Sequence, residues 1–106
     1  MGSTRLVQKV EASVFQDWIS NHEVRVGSHA LFRLNEAQRN IFKEAELMLF
    51  LRQKPVLVGL QQNGRYAAFF RKGDNYLRII FERSYKRIEI GTFYITEHLP
   101  VIRNGD

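Results

Sequence analysis

His29 and Arg33 stand four positions apart in the segment Ser28-His29-Ala30-Leu31-Phe32-Arg33. On a helix that spacing sends both side chains from one side, one turn from each other. An imidazole that titrates near neutral pH can move a proton, and a guanidinium can hold a phosphate through two parallel hydrogen bonds. The pair is a candidate for proton transfer beside a phosphate, although the spacing equally describes a histidine just inside a helix start next to a solvated arginine. A second group follows later in the chain: Arg78, Arg87, Thr92, Tyr94 and Thr96, with Arg65 or Arg71. Arginines with hydroxyls and a tyrosine can grip phosphate and stack on a base when a sheet fixes their separations. Ordinary exposed β-faces use the same residues, because Tyr and Thr favour strands.

Several other chemistries are disfavoured. The chain has no cysteine, which removes disulfides, thiolate metal sites and a cysteine nucleophile, and suits a reducing or compartment-neutral setting. There is no GxGxxG or GxxxxGK[ST] pattern to cradle a nucleotide. His22, His29 and His98 lack HExxH-type spacing, so no metal site is expected. Ser28 and Ser84 sit outside any GxSxG elbow. Phe69, Phe70 and Phe81 read as core, and no cofactor is implied.

The elements that must position these residues change period at Pro55. Before it, Glu11–Ser20 reads as a short helix, with Val14, Phe15, Trp18 and Ile19 at helical spacing. Asn21 and Gly27 bracket HEVRV, a short strand or extended connector. Ser28 reads as the N-cap of a helix over HALFRLNEAQRN, with Asn40 as its left-handed stop. A further helix runs from Phe42 or Lys43 to Gln53 and ends because Pro55 disfavours helical geometry at Lys54.

After Pro55 the pattern alternates, and turn residues recur as in an antiparallel meander. Four strands are expected: Val56–Gln61, Arg65–Lys72, Tyr76–Glu82 and Arg87–Thr96. Asn63-Gly64 reads as a type I′ turn. In the third strand Leu77, Ile79 and Phe81 share one face, and Tyr76, Arg78, Ile80 and Glu82 the other. In the fourth, Ile88 and Ile90 are out of phase with Phe93 and Ile95. A bulge at Gly91 reconciles them and leaves Arg87, Glu89, Thr92, Tyr94 and Thr96 on the open face. The expected class is α+β, with N-terminal helices packed on one face of a four-stranded antiparallel sheet.

At 106 residues the chain is one domain's length, and 44% apolar with 25% charged residues suits one globular core. The expected organisation is an arm or helix over 1–27, a core over 28–96 and a tail over 97–106. No apolar run approaches the roughly 20 residues that cross a bilayer, so no membrane role is expected. The net charge of +5 is unevenly placed. Residues 1–48 balance six basic against six acidic residues. From 49 to 96, nine basic residues (Arg52, Lys54, Arg65, Arg71, Lys72, Arg78, Arg83, Lys86, Arg87) stand against Asp74, Glu82 and Glu89. That surplus favours a polyanionic partner, nucleic acid or an acidic protein, and also serves solubility.

The segment SHALFR, the helix closing at Leu51 and Pro55, then GRYAAFFRKGDNYLRIIFE and IEIGTFYIT together resemble the small nuclease-like domains of the barnase, EndoU, tRNA-cleaving colicin and RelE superfamily. The likeness covers residues 28–96 and is to the HAxxR branch of phage, toxin-antitoxin and polymorphic toxin proteins. It implies a metal-independent, toxin-type ribonuclease that cleaves tRNA or other RNA by attack of a ribose 2′-hydroxyl on the adjacent phosphate. His29 would transfer the proton, Arg33 and Arg78 would neutralise phosphate, Thr92 would position it, and Tyr94 would stack on a base. Such a protein acts in the cytoplasm, whether made there or delivered from another cell, and meets an acidic antitoxin or immunity protein. The alternative on the same scaffold is a non-catalytic RNA- or protein-binding module, in which Arg78 and Arg87 matter and His29 does not.

Overall fold

The computed structural model describes residues 5–27 and 44–100. Its elements in chain order are β1 (Leu6–Lys9), α1 (Ala12–Asn21), β2 (Glu23–Val26), α2 (Glu44–Leu51), β3 (Leu57–Gln61), β4 (Tyr66–Lys72), β5 (Asn75–Ser84) and β6 (Arg87–Thr96). The strands form one sheet in the order β1-β3-β4-β5-β6-β2. Every neighbouring pair is antiparallel except β2 with β6, which is parallel.

This corrects the four-stranded antiparallel sheet expected from the sequence to a six-stranded mixed one, while the α+β class stands. The added strands are the two edges. β1 is only four residues long, too short to show alternation. β2 joins β6 in parallel, so no hairpin turn precedes the pairing to announce it. The helix expected over 29–40 lies outside the described residues.

α1 and α2 cover one face. Phe15 of α1 and Leu47 and Leu51 of α2 are buried against Ala68, Phe70, Leu77, Ile79, Phe81, Ile88, Ile90 and Phe93. Phe15 meets Phe70 and Phe81 at ring separations of 5.9 and 5.6 Å, within the range in which aromatic pairs attract beyond their buried area. On the far face Leu6, Ala67 and Phe69 make a smaller buried cluster with Leu57 and Ile80 alongside. β4 therefore buries both of its faces over 67–70, as a central strand should.

Gly91 is the extra residue in β6: Ile80 pairs with Thr92 and Phe81 with Ile90, skipping it. The bulge restores phase, so that Ile88, Ile90 and Phe93 all enter the helix-side core. The Asn63-Gly64 turn differs from the expected type I′. That type needs two left-handed residues, whereas Gly64 has φ 89° and Asn63 is not among the positive-φ residues. Gln61 N–H bonds to Arg65 O, and Gly64 N–H to Gln61 O. These bonds describe a three-residue loop closed by a left-handed glycine.

At Gly59 a Cβ would fall 2.9 Å from Leu6 Cδ1 and 3.0 Å from Gln8 O. A side chain there would drive β1 off β3, since neither the buried leucine nor the backbone has room to yield. Gly59→Ala should cost about 1–3 kcal/mol, read as a lower urea midpoint with an unchanged slope.

Candidate nucleic-acid interface

Strand register places the sequence candidates of β4, β5 and β6 on the far face in successive rows. Arg71, Tyr76 and Thr96 form the first row, from Arg71↔Tyr76 and Tyr76↔Thr96. Phe69, Arg78 and Tyr94 form the second, with Arg78 directly between the two rings. Ala67, Ile80 and Thr92 form the third. Residues of adjacent rows on neighbouring strands lie about 7–8 Å apart on one face, a spacing at which several groups can hold one extended ligand.

Arg78 is the centre of this surface. Its guanidinium lies 5.0 Å from the Phe69 ring centroid and 5.9 Å from that of Tyr94. Its Nη2 donates to Gln61 Oε1 at 2.7 Å. Gln61, only 1% exposed, passes the linkage on, donating from Nε2 to Asn63 Oδ1 at 3.1 Å. Asn63 Oδ1 also accepts the Arg65 N–H at 3.0 Å. A polar chain thus runs from the β3–β4 turn to the middle of the sheet and fixes the direction of one guanidinium. Phe69 below it is fully buried, so the cation rests on an apolar floor where its interaction with the ring is stronger than in water.

Arg71 is held differently. Its Nε donates to Gly73 O and its Nη1 to Tyr76 Oη, both at 3.1 Å, with the ring centroid 5.3 Å from its Cζ. At this end of the face Arg71 is held by neutral groups, a backbone carbonyl and a phenol. Asp74 in the adjacent turn and Glu97 beyond β6 are exposed carboxylates at its margin. Tyr94, next to Arg78, is 37% exposed.

The other end of the same face is balanced. Arg65 Nε bonds Glu82 Oε1 at 2.9 Å. Arg25 Nε bonds Glu23 Oε1 at 2.7 Å, and β2 aligns Glu23 with Arg87 and Arg25 with Glu89. The Arg25 hydrogen bond and charge, with a smaller contribution from Arg87, hold the Glu23 carboxyl below the usual carboxylate range. Arg65 and Arg87 therefore sit among carboxylates, apart from Arg71, Arg78, Tyr94 and Thr96.

His29 and Arg33 lie outside the described residues. Gln61, Phe69 and Tyr76 were missed as functional groups. The signal for Gln61 was a polar residue in step with the far-face positions Leu57 and Gly59 of β3; Tyr76 was legible as sharing a face with Arg78. A groove of about 320 Å³ between β1 and α1, walled by Val14, Trp18, Leu60 and Tyr66, gathers none of the sequence candidates. Among the described residues no group of His, Asp or Glu is arranged to hold a metal ion, and no helix is long and apolar enough to cross a membrane. Comparison with known families, curated proteins and solved structures returned no match.

Arg78 and Arg65 should respond very differently to substitution. Arg78→Lys keeps the charge but loses the planar fork and ring stacking, and should cost about 1–2 kcal/mol. Arg65→Ala breaks an exposed ion pair and should change stability by no more than about 1 kcal/mol. Urea titrations of the two variants compare these directly.

Proposed function

We propose that this chain is an RNA-binding domain of the metal-independent ribonuclease type, gripping RNA on the sheet face opposite α1 and α2. The observation that carries the reading is Arg78, fixed by Gln61 between Phe69 and Tyr94, with Arg71, Thr92 and Thr96 on the same face. A rigid guanidinium binds a phosphate oxygen pair at less entropic cost than a mobile one. Tyr94 adds a stacking surface that accepts any base. The surplus of basic residues over 49–96 supplies the long-range attraction.

In the cleavage step, a ribose 2′-oxygen forms a bond to the adjacent phosphorus as the bond to the 5′-oxygen breaks. The products are a 2′,3′-cyclic phosphate and a 5′-hydroxyl. A base removes the 2′-proton, an acid protonates the leaving oxygen, and cations take up the charge gathering on the phosphate. In this reading Arg78 and Arg33 supply the charge, Thr92 orients the phosphate, and His29 moves the proton. The resemblance of residues 28–96 to the barnase, EndoU, colicin and RelE group supports the assignment. An acidic antitoxin or immunity protein is the protein partner that this charge pattern would accept.

A second reading keeps the surface and drops the chemistry. In the rows of Arg71 and Arg78 no described residue is a histidine or a carboxylate. The face supplies charge and stacking, and proton transfer falls entirely to His29. A non-catalytic module that holds RNA or an acidic protein satisfies the same geometry.

Incubation with total tRNA in EDTA separates the readings. Cleavage is expected to leave 2′,3′-cyclic phosphate ends and to fall about 100-fold or more in His29→Ala. Intact tRNA at high protein excess, with wild type and His29→Ala alike, removes the catalytic reading. Salt-dependent RNA binding that survives His29→Ala then supports the module, and absence of RNA binding removes both RNA readings.

A further inference from the structure

We infer that the tip of the β5–β6 hairpin is a second contact for single-stranded RNA, with Tyr85 stacking on an unpaired base and Lys86 meeting the neighbouring phosphate. The inference rests on the RNA reading above and adds a site distant from Arg78. Two cations, Arg83 and Lys86, flank Tyr85 within four residues of chain, and both are exposed, while Arg87 is aligned with Glu23. Tyr85 is 88% exposed, with Lys86 Nζ 5.2 Å from its ring centroid. Arg83 is steadied from the helix side, its guanidinium 4.3 Å from the Trp18 ring centroid.

The backbone supplies the independent argument. Ser84 pairs with Arg87, which leaves Tyr85 and Lys86 as a two-residue turn, and Lys86 has φ 61°. The other two hairpins put glycine at their left-handed positions, Gly64 at φ 89° and Gly73 at φ 60°. Glycine is free there, whereas a residue with a Cβ crowds its own carbonyl. A turn required only to close the hairpin would carry Gly or Asn. Keeping a lysine in the strained position, beside the most exposed aromatic ring described, points to a use for both side chains.

The chemistry of the tip selects its occupant. A lone ring with a hydroxyl, flanked by cations, fits a base and its phosphates. A duplex keeps its bases stacked and offers that ring nothing to pair with, so the ligand is unpaired. A membrane would need more apolar surface than one tyrosine provides. Along β5 the tip is about 20 Å from Arg78. The carboxylates on the intervening face, Glu82, Glu89 and Glu23, lie beside Arg65, Arg25 and Arg87, three against three, making that belt balanced rather than repulsive. RNA is held at the two ends of the face and passes over its middle.

The test uses fluorescence anisotropy with a labelled 2′-O-methyl RNA of about 12 nucleotides, which cannot be cleaved by 2′-hydroxyl attack. Tyr85→Ala should weaken binding about 5-fold or more. Lys86→Gly should raise the thermal midpoint and still weaken binding, a combination that a purely structural turn would not produce. If both variants bind like wild type while Arg78→Lys is impaired, the tip is overturned and the RNA reading stands. If wild type itself does not bind, both fall. Tip-dependent binding to phosphatidylserine-containing vesicles, with RNA affinity unchanged in the variants, also overturns the assignment.

Discussion

The whole architecture depends on α1 reaching across the sheet. β1 and β2 point the same way from opposite edges, and α1 is the only chain between them. Five inter-strand steps amount to about 24 Å, while a ten-residue helix covers about 15 Å. The crossing works because Val10, Glu11 and His22 extend the reach and because a twisted sheet curls toward its helix. Phe15 sits at mid-crossing, on Phe70 of β4 and Phe81 of β5. That contact ties the N-terminal segment to the centre of the meander, so residues that follow much later in the chain are clamped between two edges laid down first.

Both described helices pack on one face, and the cations of the other are constrained in two ways. Arg78 is aimed by a buried glutamine and floored by a buried phenylalanine. Arg65 and Arg25 are turned toward carboxylates. The net surplus read from the sequence is therefore not spread evenly. Among the described residues of this face, Arg71 and Arg78 stand toward the β4–β5 turn and Lys86 at the β5–β6 tip, with the Arg65–Glu82 and Arg25–Glu23 pairs between. A composition count sees the sum, whereas pairing across strands determines where the field emerges.

Much of this was legible in the sequence because alternation is a strong signal over long strands. The faces of β5, the bulge at Gly91 and the grouping of Arg78 with Tyr94 and Thr96 follow from counting residues by twos. The β1 edge escaped because LVQK is only four residues; HEVRV was legible as a short strand, but its parallel pairing with β6, Glu23 with Arg87, leaves no local trace. Asn63-Gly64 misled because one left-handed residue and two share a dipeptide. The Gln61–Arg78 bond joins β3 to β5 across β4, and no pattern within either strand encodes a diagonal contact. His29 and Arg33, the pair with the plainest chemistry, lie outside the described residues.

The glycines mark where the backbone's needs and the site's needs part. At Gly59 the missing side chain lets β1 approach, and Leu6 fills the space from across the strand. At Gly64 and Gly73 it relieves turns with open space around them. In each of these places local conformation and residue type agree, as they do throughout a well-specified fold. Lys86 is the position where they disagree, since the backbone asks for glycine and the chain supplies a long cation. Among the described residues that disagreement is confined to one exposed turn, and strained positions of this kind cluster at binding and catalytic sites in proteins generally.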